Sequence, residues 1–390
     1  MVFGVTLALT LVAAVSEDRI VMINSAGALV AHAHIDRYTV CFSPDYDVSE
    51  QAEVVLDTLN PDERRPWSTA APRDGDDPAA CDRACWLARL VEQMRASAAA
   101  TTPPRPLDAP REYDDVANKY LRLVENAVTG SLTEAAGRCD PSAPNCPLER
   151  RLPYERELRE RGTDWPTLGL TMVGHVRLRQ LRRAIEEVVA RGVPGDIVEL
   201  GTWRGGAMIY AKAVLHVAER DDAAARGGGA PPRRVILFDA FDTAVQQYTH
   251  MAEYLSASAA SVRASFEKFE LWDGRVVIVA GLFEDALPRF DPAARVAVLR
   301  VDCNFYACHQ DALYHLYERV PVGGIVIFDD ILAHGELLRF WVEFKTEQGL
   351  REVLVRAGDD NCAWFRKEAD VALDWAHFRG PEQLASARPA

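Results

Sequence analysis

Five apolar runs recur between helical stretches in the second half of this 390-residue chain. They are "DIVEL" (196–200), "RVILFDAF" (234–241), "GRVVIVAG" (274–281), "RVAVLRVD" (295–302) and "GGIVIFDD" (323–330). Each is nearly continuous in Val, Ile and Leu rather than alternating with polar residues. A strand with one wet face alternates, whereas a strand covered on both faces does not. Segments such as "GGAMIYAKAVLHVAER" and "QDALYHLYERV" fill the gaps with helical spacing. This order predicts a parallel α/β sheet with helices on both faces. The stretch "REVLVRAGDDNCAWFRK" differs: two short strands around Gly358-Asp359-Asp360-Asn361 give a hairpin signal and an antiparallel edge.

Upstream, "HVRLRQLRRAIEEVVARG" (175–192) sets Leu178, Leu181, Ile185, Val188 and Val189 on one helical face, with Gly192 as C-terminal cap. In "YDDVANKYLRLVENAVTG" (113–130), Val116, Tyr120, Leu123, Ala127 and Val128 recur at helical spacing, and Gly130 is the expected stop. The Ala-, Thr- and Pro-rich "RASAAATTPPRPLDAP" (95–110) reads as a linker. The expected division is an extension over 1–110, a helical lid over 111–175, a Rossmann-like domain over 176–370 and a tail over 371–390.

The formal net charge of −14 argues against nucleic acid or an anionic membrane as partner. The apolar run Val2–Val15 is too short to span a bilayer. It resembles a signal-peptide core but lacks a preceding Lys or Arg. A cytoplasmic protein is expected, with secretion or an organelle as the alternative. A homo-oligomer is compatible with everything above. Of eight cysteines, Cys303, Cys308 and Cys362 read as small apolar residues. Cys139 with Cys146, or Cys81 with Cys85, would bridge only in an oxidising compartment.

Chemistry is expected at the strand tips, where open α/β sheets bind ligands. "VELGTWRGG" (198–206) places Gly201, Gly205 and Gly206 around the turn out of the first strand. Glycines there allow close backbone approach to a ligand. The spacing is not GxGxxG, which argues against a nicotinamide cofactor. Asp239 ends the second strand and suits ribose hydroxyls, with a loop or cap role as the alternative. Gly281 ends the third strand, and Glu284 or Asp285 beyond it suits an adenine ring. Asp329 and Asp330 end the fifth strand beside Asp302 at the fourth. Three carboxylates at neighbouring tips repel one another and suit Mg²⁺. A parallel sheet closed by an antiparallel hairpin is the organisation of class I methyltransferases.

These motifs together resemble the macrocin O-methyltransferase (TylF-type) family, over about Tyr113 to Phe365. The likeness rests on "DWPTLGLTMVG", "VPGDIVELGTWRGGAMI", "FDAFD", "GLFEDALP", "LRVDCNFY" and "GGIVIFDD". The resemblance implies a seven-stranded class I methyltransferase fold and S-adenosylmethionine- and Mg²⁺-dependent methylation of a sugar or other polyol hydroxyl. It implies that Met172 and Val173 cover the cofactor, and that Glu199, Gly201 and Arg204 form its turn. It also implies Asp239 as the ribose acid and Asp302, Asp329 and Asp330 as metal ligands, with Asp302 bordering the cofactor too. The family writes the fourth tip D-G-D-x-Y, and its second Asp is the expected base. This chain has Asn304 there, and an amide takes no proton from an alcohol. Three outcomes stay open: metal-assisted loss of the proton, a substitute base at His309 or His334, or a catalytically silent cofactor-binding protein.

Overall fold

The computed structural model describes residues 14–16, 19–23, 29–34, 105–140, 142–226, 232–241, 252–333, 335–357 and 361–378. Three strands lie near the N-terminus: β1 (Ala14–Ser16), β2 (Arg19–Ile23) and β3 (Leu29–His34). Helices α1 (Asp115–Val128), α2 (Arg156–Arg161) and α3 (His175–Ala190) follow. Then β4 (Asp196–Leu200), α4 (Gly206–Arg226), β5 (Val235–Asp239), α5 (Ala259–Lys268), β6 (Val276–Ala280) and β7 (Val296–Val301) alternate. The chain continues through α6 (Tyr306–Leu316), β8 (Ile325–Phe328), α7 (Gly335–Glu347), β9 (Val355–Arg356) and β10 (Ala363–Arg366).

Two compact units result, one of residues 1–105 and 331–356, the other of residues 106–330 and 357–390. In the first, β1, β2 and β3 form an antiparallel sheet, and α7 packs on β1 and β2. The apolar run 2–13 and the Cys81/Cys85 pair lie outside the described residues, as does the hairpin turn 358–360.

The large sheet has seven strands in the order β6-β5-β4-β7-β8-β10-β9. Strands β4 to β8 are parallel, and β10 runs antiparallel to β8. This is the class I methyltransferase fold expected from the sequence. Ile197, Val198 and Leu200, with Val296 to Leu299, have no exposed surface. Each Val, Leu or Ile among them contributes about 1.5–3 kcal/mol when buried. Helices α1 and α3 pack on α4, and α6 packs on β7.

The two amphipathic helices behave differently. In α3 the expected face is the buried one, and Gly192 takes φ 64° after the C-cap. In α1 the expected stripe is off by one residue. Val116 and Leu123 are 76% and 56% exposed, while Ala117, Leu121 and Val124 are buried; of the expected stripe, Val128 is buried. The helix carries two apolar stripes side by side with the same spacing, and packing on α4 selects the second. Asp114 caps its start by accepting from the Ala117 N–H at 2.8 Å.

Candidate active site at the strand tips

Register explains why the candidate residues meet. Leu200 pairs with Phe238 on one side and Val301 on the other, and Val301 pairs with Phe328. One residue further on, Asp239, Gly201, Asp302 and Asp329 therefore form a row across the mouth. The order of strands reverses between β4 and β7, the switch point where open sheets bind ligands.

At the β4 tip, Gly201 has φ +89°, and a Cβ there would lie 1.8 Å from the Asp302 carbonyl oxygen. Only glycine fits, because two strand ends touch backbone to backbone. Trp203 follows with φ 49°. This turn is held by Asp239. Its Oδ2 accepts from the Thr202 and Trp203 amides at 2.7 and 2.9 Å. Its Oδ1 accepts from the Phe241 amide at 2.7 Å, which leaves one lone pair on that oxygen. Gly281 has φ +142°, a Cβ there would lie 4.0 Å from the Ala286 Cβ, and Glu284 beyond it is exposed.

Arg204 does not point freely at the mouth. Its guanidinium donates to the carbonyls of Thr167, Gly169 and Tyr254 at 3.1–3.3 Å and stacks over Trp203. It fastens the segment that leads to Met172 and Val173. Met172 packs with Trp165, Trp203 and Tyr254 around the Cys139–Cys146 disulfide, and Val173 is buried. Arg159 donates to the Met172 carbonyl, fixing this loop from beneath.

On the other side lies an acid cluster. One carboxylate oxygen from each of Asp302, Asp329 and Asp330 falls within 4.8 Å of the others. Arg300, 2% exposed, points out of β7 into it. Its Nη1 donates to Glu199 at 2.5 Å and Asp302 at 2.8 Å, and its Nη2 to Asp329 at 2.5 Å. Arg177 of α3 donates to the other Asp329 oxygen at 2.5 Å, lies 3.6 Å from Asp330, and donates to the Gly162 carbonyl. Neither arginine is singled out by the sequence pattern. A charge inside the otherwise apolar run "VAVLRV" is a signal for Arg300; Arg177 gives none among the arginines of its helix.

Four carboxyls thus share two guanidiniums, and the acidities record it. Burial, then the charges of Asp329 and Asp302, push Asp330 up to about 8. Burial, then Asp329, push Asp302 up to about 6 against the pull of Arg300. Burial pushes Glu199 up to about 8 despite Arg300. For Asp329 burial also pushes upward, but Arg177 and Arg300 together hold it below the usual range.

Asn304 lies in the turn after Asp302, its amide oxygen buried without a hydrogen bond among the described residues. His309 is fully buried on α6, its ring stacked on Phe328 at 5.5 Å, with Nδ1 3.3 Å from the Phe305 carbonyl. Its Nδ1 also lies 3.5 Å from the Sγ of Cys303, the residue after Asp302. His334 lies outside the described residues. Cys303 and Cys308 do not behave as small apolar residues: they form a disulfide. The turn into α6 brings their Cα atoms to 6.4 Å, within bridging reach. Cys362 is buried, as expected of a small apolar residue.

Comparisons with known proteins agree with this fold. The family model for macrocin O-methyltransferase (TylF) matches residues 141–367. The chain is 31% identical over 272 residues to demethyldecarbamoylnovobiocin O-methyltransferase of Streptomyces niveus, covering 67% of this chain and 98% of that protein. It is 31% identical over 262 residues to mycinamicin III 3''-O-methyltransferase of Micromonospora griseorubida, covering 63% and 93%. The solved O-methyltransferase NovP superposes with a TM-score of 0.54 at 29% identity, covering 65% of this chain and all of that one. Fold and tips define a class I methyltransferase. The chain belongs to the macrocin O-methyltransferase family, and it is an O-methyltransferase.

Proposed function

We propose that the protein transfers a methyl group from S-adenosylmethionine to a hydroxyl of a sugar or other polyol, with Mg²⁺ held by Asp302, Asp329 and Asp330. The observation that carries this is the row Asp239–Gly201–Asp302–Asp329 across the switch point. The donor set suits the cation: three hard oxygens converge, and the cluster holds more carboxyls than guanidiniums. A divalent cation bound there lowers the pKa of a hydroxyl it touches. S-adenosylmethionine, when bound, supplies an electrophilic methyl on its sulfonium, which the acceptor oxygen takes with inversion. The names of the two curated relatives, both O-methyltransferases on antibiotic scaffolds, support the acceptor class.

The chain's own residues do the rest. Asp239 shapes the β4 turn and keeps a lone pair for a ribose hydroxyl. Met172, Val173 and the aromatic cluster behind them keep water from the donor, which strengthens electrostatics inside. Alignment of the two reactants supplies much of the acceleration. Asn304 takes no proton, so the hydroxyl proton leaves to solvent hydroxide. The two disulfides favour an oxidising compartment over the cytoplasm.

Asn304 in the family's base position also favours a second reading, a silent protein that binds the donor without turnover. Labelled S-adenosylmethionine, incubated with a panel of sugars at several pH values, separates the two. The first reading expects methylated product, abolished by EDTA, restored by Mg²⁺ and rising about tenfold per pH unit. Donor binding by calorimetry with no product at any pH supports the second. Full activity in chelator removes the metal from the scheme.

A further inference from the structure

The turn from β7 into α6 carries two cysteines and a histidine, Cys303, Cys308 and His309. The cysteines are half-buried and joined as a disulfide. His309 is buried beside them, its ring stacked on Phe328. One ligand atom from each of the three lies within 4.8 Å of the others. The His309 Nδ1 is 3.5 Å from the Cys303 Sγ and 3.9 Å from the Cys308 Sγ. Tetrahedral zinc holds sulfur at about 2.3 Å and nitrogen at about 2.1 Å, which sets S···N edges of about 3.6 Å and an S···S edge of about 3.8 Å. Both S···N separations in the turn are thus close to what a shared metal needs. The remaining obstacle is the bond between the sulfurs.

We propose that reduction of this bridge makes a metal site, in which the Cys303 and Cys308 thiolates and the His309 Nδ1 bind a thiophilic divalent cation of the zinc type. An external dithiol supplies the two electrons. Its thiolate attacks one sulfur, the Cys303–Cys308 bond breaks, and the dithiol leaves as its own disulfide. The two freed thiols release their protons to solvent as the cation binds. His309 binds as the neutral imidazole with its proton on Nε2. The Phe305 carbonyl, 3.3 Å from Nδ1, loses that contact and keeps the His309 backbone amide, also at 3.3 Å. Water on the exposed side of the half-buried cysteines completes four ligands. The site differs in kind from the carboxylates beyond Asp302. Thiolate and imidazole suit zinc, whereas carboxylates suit Mg²⁺. It does not depend on the proposed methyl transfer. Bridge and metal exclude each other, so the redox state of the surroundings decides which one the turn holds.

The test uses the full chain, reduced with a phosphine, desalted without air and titrated with Co²⁺ as a coloured substitute for zinc. The reduced parent should develop a thiolate-to-cobalt band in the near ultraviolet, and added Zn²⁺ should remove it. The unreduced parent should show no such band. Cys308→Ser should lose it, whereas the Cys139→Ser/Cys146→Ser pair should keep it. His309→Gln should weaken Co²⁺ binding at least about tenfold, since groups that merely support a metal ligand already cost that much. His309 is buried, so circular dichroism checks that this variant folds; if it does not, the half-buried Cys308→Ser decides. No band in the reduced parent overturns the proposal. So does a band of equal strength in Cys308→Ser, or an unchanged Co²⁺ affinity in folded His309→Gln. A band removed by excess Mg²⁺ would assign the ion to the carboxylates and overturn it as well.

Discussion

On the β4–β5 side of the mouth, polar groups are satisfied by backbone amides; on the β7–β8 side they are satisfied by charge. Asp239 takes three amide hydrogen bonds. Asp302, Asp329 and Glu199 instead depend on Arg300, and Asp329 on Arg177 as well. The first arrangement is local. The second is buried, holds more carboxyls than guanidiniums, and is followed by Asn304, whose amide oxygen has no hydrogen bond among the described residues. A site that binds one invariant donor can be wired into the backbone. On the proposed function, the second side takes up a cation and an acceptor, and a site of that kind keeps groups unsatisfied until they arrive. The departure from the family pattern, Asn304, falls on this second side.

The sharpest way to break the comparison is Arg300→Met. It removes the guanidinium bonded to Glu199 and Asp302 and leaves Asp329 with Arg177. Removing one partner of a buried ion network costs about 3–5 kcal/mol, read by urea denaturation. Arg300→Lys keeps the charge but loses the fork that spans three carboxylates, so it should recover only part. A loss under about 1 kcal/mol in Arg300→Met would mean that the acids are neutral in the fold, and the contrast would collapse.

The matching change on the other side is Asp239→Ala. It strips an anionic acceptor from the Thr202, Trp203 and Phe241 amides and should weaken S-adenosylmethionine binding by about 1.5–3 kcal/mol in calorimetry. The metal-side affinity, measured with Mn²⁺, should not move. Equal effects on both ligands would show the two sides to be one coupled unit.

The strand tips were legible because buried parallel strands announce themselves as apolar runs that end on glycine or acid. Asp239, Asp302 and Asp329 were found that way, and register does bring them into one row. Arg177 was not legible, since periodicity assigns arginine to the surface unless its carboxylate partners are known in space, and Arg300 shows only as a charge inside an apolar run. The stripe on α1 failed for a related reason. Val116, Tyr120 and Leu123 match a buried face as well as Ala117, Leu121 and Val124 do, and only the position of α4 decides. Arg204 was assigned to the cofactor by the likeness alone, and its guanidinium is engaged by carbonyls of the lid. The Cys303–Cys308 bridge needs the geometry of the turn into α6, which spacing does not contain.

The disulfides sharpen the comparison further, one on each side of the mouth. Each closes a short loop, with sequence separations of 7 and 5. Loop closure predicts about 2 kcal/mol of stability apiece. Paired Cys→Ser variants should separate them. Loss of Cys139–Cys146 should loosen the lid and weaken the donor, whereas loss of Cys303–Cys308 should act on acceptor affinity. Thiol titration of the unreduced, denatured protein checks the premise: these four cysteines should be unreactive, and reactivity would remove the bridges.

The smallest expected effect tests whether the electrostatic cost extends along α6, behind the charged side. Asp311 is pushed up to about 6 by burial and then by Glu284. Its folded pKa lies above its unfolded one, so the folded state binds the extra proton between about pH 4 and pH 6. Stability from this group therefore falls as pH rises through that window and stays reduced above it. Asp311→Asn removes the penalty. It should stabilise the protein at pH 7 by about 1 kcal/mol, after allowing for screening of a partly exposed group, and change nothing at pH 4. Paired urea titrations at the two pH values measure it. A gain of equal size at both would assign the effect to packing or helix propensity. No gain at pH 7 would mean that Asp311 is solvated as an ordinary carboxylate, and the strain would then end at the strand tips.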